Sequence, residues 1–189
     1  MTLSVTLDYL VDKYDRRAEL DPSDHRALLA LPFEERTVEA GRYLVSEGRP
    51  TEVSSLILSG YSIRHKLTAE GNRQILSLHV PGDFVDLEGS LLAVADHNVQ
   101  ALSRSTIAFV AKRHVVKLID DHPRLARAMW VDTLIDASVF REWVVNVGRR
   151  PARQRIAHIL CEFARRLEVA GLGTTTGYRL PMTQEQIAD

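Results

Sequence analysis

Three histidines, His65, His79 and His97, lie in or beside short apolar, β-branched runs, and imidazole with a carboxylate nearby suits iron, manganese or zinc. A cupin-type metalloenzyme would need two histidines two residues apart on one strand face beside a glutamate, and the sequence contains no His-x-His. Isolated strand histidines are read as structural or exposed, so no metal set and no catalytic residue is expected, and the chain is not read as an enzyme. Cys161 is the one cysteine. It excludes an internal disulfide, cannot by itself carry an iron–sulfur cluster, and reads as a small buried hydrophobe. No residue pair matches haem ligation.

Arg149, Arg150, Arg153 and Arg155 are the other concentration of chemistry. They surround a predicted helix start, where unpaired backbone amides and the helix dipole already favour anions, so a phosphate backbone suits them, although on these residues alone a solvated charged face is the preferred reading. The chain as a whole is not basic: its 189 residues are 45% hydrophobic and 26% charged, with a formal charge of -1. No apolar run approaches the ~20 residues of a membrane span, and Met1-Thr2-Leu3-Ser4-Val5 lacks the basic-then-apolar plan of a signal peptide. A cytoplasmic protein without a membrane partner is expected.

The elements that must position these groups change period along the chain. Gly48, Gly60, Gly71 and Gly82 recur at near-even steps, the last in Pro81-Gly82-Asp83-Phe84, and each suits a turn with φ > 0. Between them apolar residues alternate at period two in 37–39, 43–45, 55–58, 62–67, 74–80 and 106–110, with a hairpin turn at 69–72. This predicts a roll of short strands. Ahead of it, Leu7, Leu10, Val11 and Tyr14 fall at helical spacing. Pro22-Ser23-Asp24-His25 opens a second helix to about Leu31, with Ser23 or Asp24 as N-cap.

At His122-Pro123 the period becomes helical and persists to Val147. Trp130, Thr133, Ala137, Phe140, Val144 and Val147 recur at alternating steps of three and four, the mark of a helix packed along a partner helix. Val131, Leu134, Ile135 and Trp143 widen that apolar surface. A homodimer seam is the expectation, with a helix buried inside its own monomer as the alternative. Gly148 to Pro151 breaks the helix, and the next runs from Ala152 to Ala170 with Pro151 in its first turn and Gly171 as its C′ residue. Tyr178-Arg179-Leu180 reads as a short strand. Pro181 to Asp189 begins a helix with Thr183 and Gln186 in capping-box register.

In order and spacing, several segments resemble the Crp-Fnr superfamily of bacterial transcription regulators over nearly the whole chain. They are Gly41-Arg42-Tyr43-Leu44-Val45-Ser46-Glu47-Gly48, Leu56-Ile57-Leu58-Ser59-Gly60, Pro81-Gly82-Asp83-Phe84, His122-Pro123, Gln154-Arg155-Ile156-Ala157 and the run from Leu180 to Ala188. The resemblance implies an α+β chain. A cyclic-nucleotide-binding-like β-roll (a double-stranded β-helix) with N-terminal helices would occupy 1–121. A dimerisation helix would occupy 122–148, and the first part of a winged helix-turn-helix 149–189, its recognition helix lying beyond Asp189. It further implies a homodimer on a palindromic operator in double-stranded DNA, RNA polymerase as another partner, and Arg153, Thr183 and Gln184 at phosphates.

Cyclic-AMP members of the family hold the ribose with a Gly-Glu-Leu, the cyclic phosphate with an Arg-Ser or Arg-Thr, and adenine with a Thr-Ser pair on the long helix. Here the matching stretches read Asp86-Leu87-Glu88-Gly89-Ser90-Leu91 and Ala95-Asp96-His97-Asn98-Val99, with Phe140 and Arg141 on the helix. Leu87 stands in place of the ribose glutamate with Glu88 one step away, no arginine meets the phosphate, and Asp96 would repel it. The resemblance thus places a ligand pocket at Asp86, Leu87, Glu88, Gly89, Ser90, His97, Asn98, Phe140 and Arg141, for a ligand other than cyclic AMP or for none. A cyclic-nucleotide-responsive regulator is the alternative. Residues 1–30 hold no cysteine, which removes the iron–sulfur cluster of the Fnr branch, and no haem is expected.

Overall fold

A computed structural model of the chain describes residues 6–173, 177–178 and 180–188. Helix α1 (Leu7–Asp15) buries Leu10 and Tyr14, four residues apart on one face. Helix α2 (Pro22–Leu29) opens on a capping box, in which Asp21 accepts from the Ser23 and Asp24 amides and the Asp24 carboxylate accepts from the Asp21 amide. The cap is therefore Asp21 rather than Ser23 or Asp24, because Pro22 already takes the first helical position, and the helix ends at Leu29 rather than Leu31.

Among the described residues eight strands follow: β1 (Glu34–Val38), β2 (Tyr43–Val45), β3 (Val53–Ser59), β4 (Ser62–Leu67), β5 (Arg73–His79), β6 (Phe84–Val85), β7 (Asn98–Ala101) and β8 (Ser105–Ala111). They pair antiparallel into two four-stranded sheets, ordered β1-β8-β3-β6 and β2-β7-β4-β5. This is the expected jelly-roll-like β-roll. β6 and β7 are too short to show a period of their own, and only pairing with β3, and with β2 and β4, makes them strands. β3 is buried on both faces: Leu56 and Leu58 pack outward under the helices, while Ile57 joins Val45, Val85, Val99 and Ile107 inside the roll. Two of the turning glycines are sterically required. At Gly60 (φ +85) a Cβ would lie 2.1 Å from Ser105 Oγ and 2.7 Å from Ser105 Cα, and at Gly82 (φ +93) it would strike the Tyr9 ring.

The segment after β8 folds into a helix that is not among the expected elements, α3 (Lys112–Asp121), although Val115, Val116, Leu118 and Ile119 fall at helical spacing. It has no side-chain cap, and its Val115 and Leu118 join the core beneath α1 and α2. Helix α4 (Pro123–Arg149) runs through Gly148 and Arg149, past the expected break, and helix α5 (Ala152–Val169) occupies the expected range to within a residue, with Pro151 as its N-cap rather than part of its first turn. Gly171 (φ +68) ends α5 as predicted: its amide donates to the Glu168 carbonyl and the Leu172 amide to the Leu167 carbonyl, a Schellman closure. Ile159, Phe163 and Leu167 of α5 and Trp143 of α4 bury against Ile63, Ile75 and Leu78 of the roll. Cys161 is exposed, contrary to expectation, because two residues along a helix from Ile159 turn it to the opposite face. Tyr178 and Leu180 are not in a strand, and Arg179 lies outside the described residues. A final helix, α6 (Gln184–Ala188), closes the chain.

Candidate functional site

β6 feeds into Asp86, whose φ of +58 makes it the one non-glycine residue in the left-handed region among the described residues, a conformation aspartate tolerates. A 3-10 turn, Glu88–Ser90, follows at once. Gly89 lets that turn close onto the carboxylate, since a Cβ there would lie 2.4 Å from Asp86 Oδ2 and 2.5 Å from Thr51 Oγ1. The turn thereby brings Asp86 and Glu88 up to His97, which precedes β7. His97 Nδ1 lies 2.7 Å from Asp96 Oδ1, and its Nε2 lies 3.9 Å from Glu88 Oε1. Burial, and then the Glu88 charge, push the Asp86 carboxyl above the usual range. The hydrogen bond from His97 holds Asp96 below it.

The nine residues predicted to form one ligand pocket are divided between two places. Asp86, Glu88 and His97 converge, with Gly89 beneath them. Ser90 Oγ donates to the Leu87 carbonyl at 2.6 Å and Asn98 Oδ1 accepts from the Glu47 amide at 3.0 Å, so both hold local backbone instead. Leu87 and Phe140 line an open cavity of about 470 Å³ between the roll, α1, α4 and α5. Arg141 is exposed and outside that lining, because its helix position turns it away from the roll. Glu88 belongs to both places, since Arg64 on β4 donates to it at 2.8 Å from the cavity side.

The chemistry of the cavity is a chain of alternating charges that spacing alone does not reveal. Arg64 bridges Glu88 to Asp136 of α4 (3.2 Å), and Asp136 meets Arg166 of α5 (3.3 Å). Arg166 also meets Glu162 (2.9 Å) and Asp83 of the Pro-Gly-Asp-Phe turn (3.4 Å). Asp83 continues to Lys13 of α1 (3.5 Å), and Lys13 to Asp132 of α4 (2.8 Å), which Arg17 also contacts (3.2 Å). Burial opposes ionisation of Asp83, yet the His79 imidazole 3.8 Å away and the Lys13 and Arg166 charges hold its carboxyl far below the usual range. Burial lowers His79, leaving it neutral near pH 7, so the cations that keep Asp83 ionised there are Lys13 and Arg166. Asp83 lies in the quoted turn motif. The remaining members are ordinary charged positions, recognisable only once four elements are packed together.

On α4 the predicted seam is open to solvent: Trp130, Thr133, Phe140, Val144 and Val147 are exposed and Ala137 half-buried. Trp143 is different, being buried against α5 with its indole N–H donating to Glu162 at 2.5 Å. At the start of α5, Arg149 and Arg153 are exposed, Arg155 is half-buried, and Arg150 is engaged with Glu142 and Asn146. Thr183 and Gln186 form the predicted capping box, each amide donating to the other's side chain (2.8 and 3.2 Å), and Gln184 is exposed beside it.

Residues 35–122, the roll with α3, match the cyclic nucleotide-binding domain family. The FixK2 structure from Bradyrhizobium japonicum superposes with a TM-score of 0.75 at 25% identity, covering 84% of this chain and 76% of that one, so the likeness extends past the roll into the long helices. The chain is similar to regulators of the Crp-Fnr type. The transcriptional activator protein FnrL of Cereibacter sphaeroides is 26% identical over 157 residues, which cover 82% of this chain and 62% of FnrL. The nitrogen fixation regulation protein FixK of Bradyrhizobium diazoefficiens is 29% identical over 150 residues, covering 79% of this chain and 62% of FixK. The chain thus spans less than two thirds of the length of either. Among its described residues no helix is long and apolar enough to cross a membrane.

Proposed function

We propose that this chain acts in the cytoplasm as a homodimeric, DNA-binding transcription regulator of the Crp-Fnr type, not an enzyme, and that its roll does not take cyclic AMP in the manner of the family's cyclic-AMP members. The observation that carries the dimer is the α4 stripe. Trp130, Phe140, Val144 and Val147 leave a continuous apolar face uncovered beside a well-packed core, at the spacing a second copy of the helix would fill. Arg153, Thr183 and Gln184 are exposed at two helix starts and would meet phosphates of a palindromic operator, each half-site facing one protomer. RNA polymerase is the further partner an activator requires.

Against cyclic AMP stand the absence of arginine in 95–99, the Asp96 carboxylate at the phosphate end, and the capture of Glu88 by Arg64. The charge chain supplies the coupling such a regulator needs, because a ligand that moves Glu88 moves a partner of Arg64, and Arg64 holds α4 through Asp136.

Sedimentation velocity tests the dimer: the parent chain should sediment as a dimer and the Phe140→Asp/Val144→Asp variant as a folded monomer. Chromatin immunoprecipitation of the tagged protein tests DNA binding. Enrichment of two-fold symmetric half-sites supports the proposal, and unchanged dimers in the variant or no enriched sites would overturn it. Saturable heat on titration with cyclic AMP would refute the ligand half.

A further inference from the structure

We infer that Asp86, Glu88 and His97 form a binding site for a divalent first-row transition metal, and that its occupancy competes with the Glu88–Arg64 ion pair. One ligand atom from each residue lies within 4.8 Å of the other two. One imidazole nitrogen with two carboxylates is a mixed donor set suited to manganese, iron, cobalt or zinc rather than to the all-oxygen shells of calcium or magnesium.

Three further observations point to a ligand. Asp86 is 1% exposed and His97 5%. Neither Asp86 oxygen nor His97 Nε2 has a partner at hydrogen-bond geometry among the described residues, although the Thr51 hydroxyl lies beside Asp86 and favours its charged form. Polar atoms this buried are ordinarily paired. His97 is also oriented as metal-bound histidines are. Its Nδ1–H donates to Asp96, which fixes the tautomer and leaves the Nε2 lone pair facing the two carboxylates. Finally, Asp86 is held in the left-handed region and Gly89 is excluded from carrying a side chain by the same carboxylate, so the backbone is shaped around this group.

Coordination bonds of about 2.1 Å would set the ligand atoms roughly 3.4 Å apart, a contraction within reach of side-chain rotation. The cation would offset the repulsion between the Asp86 and Glu88 carboxylates that the turn brings together. It would also draw Glu88 Oε1 from the Arg64 guanidinium, freeing Arg64 to strengthen or abandon its bond to Asp136 of α4. The inference does not depend on DNA binding, and its test is independent of it.

The purified chain, stripped with chelator, is titrated with Co²⁺ by visible absorption and with Mn²⁺ by electron paramagnetic resonance. One metal per chain with micromolar or tighter affinity is expected. Asp86→Asn, which keeps a residue tolerant of φ > 0, Glu88→Gln and His97→Gln should each weaken binding at least tenfold while retaining the parent's circular dichroism. Asp96→Asn should weaken it less, and Arg64→Met should tighten it by removing a competing cation. No saturable binding, binding of Ca²⁺ in preference to Co²⁺, or affinity indifferent to all three ligand variants overturns the site. Looser binding in Arg64→Met overturns the competition.

Discussion

Arg165 and Arg166 are neighbours on α5, both ion-paired to a glutamate at under 3 Å, and burial alone should separate the effects of removing them. The Arg165 side chain is 70% exposed and touches Glu168 at 2.6 Å. Arg166 is 16% exposed and holds Glu162, Asp136 and Asp83, three carboxylates from three segments. At an effective dielectric of about 20, each of those contacts is worth roughly 5 kcal/mol before desolvation, and desolvation offsets most of it. Truncation leaves the carboxylates buried and repelling one another, so Arg166→Ala should cost about 3 kcal/mol or more. For a chain of this size that lowers Tm by about 6–12 °C. Arg165→Ala should move Tm by less than about 2 °C. Differential scanning calorimetry of both variants at pH 7 makes the comparison. The double variant Arg166→Ala/Asp136→Asn should lose less than the sum of its parts, since each single change strands a charge that the other removes. Equal shifts from Arg165→Ala and Arg166→Ala, or strict additivity in the double variant, would refute the view that the buried chain ties α5 to the roll.

Acidification should destabilise the protein through His79 before it does so through the carboxylates. Burial, helped by Arg64 and opposed by Asp83 and Asp136, lowers the His79 pKa from 6.5, so the unfolded chain binds the proton first. Stability from this group is then complete above pH 6.5 and declines as pH falls below it, and His79→Gln should flatten the Tm profile below pH 6.5. Asp83, with a depressed pKa, adds its loss only as pH drops through 3.8 and below. Gly60→Ala should cost about 2–4 kcal/mol in urea denaturation, because φ strain and the Ser105 backbone clash combine, whereas Gly71→Ala, with the same sign of φ and open space, should cost about 1 kcal/mol.

Much of the fold is legible locally. The turn glycines at 48, 60, 71 and 82 all have positive φ, β2 and β4 fall at the expected residues, α5 ends at Gly171, and the Thr183 box forms as read. α3 lacks a side-chain cap, although its apolar residues fall at helical spacing and Pro123 follows it, and β6 and β7 are too short to show a period. The site was half legible. Asp86, Glu88 and His97 were singled out by alignment with a ligand cassette, but Ser90 and Asn98 proved to serve the backbone and Arg141 to face solvent.

What the sequence determines by itself is whatever depends on neighbours along the chain: φ > 0 at glycines, helix caps, strand alternation and the three-four rhythm of α4. These are short-range effects of backbone sterics and side-chain spacing. Only the tertiary structure decides that Lys13, Arg64, Asp83, Asp136 and Arg166 form one chain of charge, and that Asp86 is buried without a hydrogen-bond partner at proper geometry among the described residues. Electrostatic energy depends on distance through space and on the removal of water, and neither is set until α1, the roll, α4 and α5 have packed.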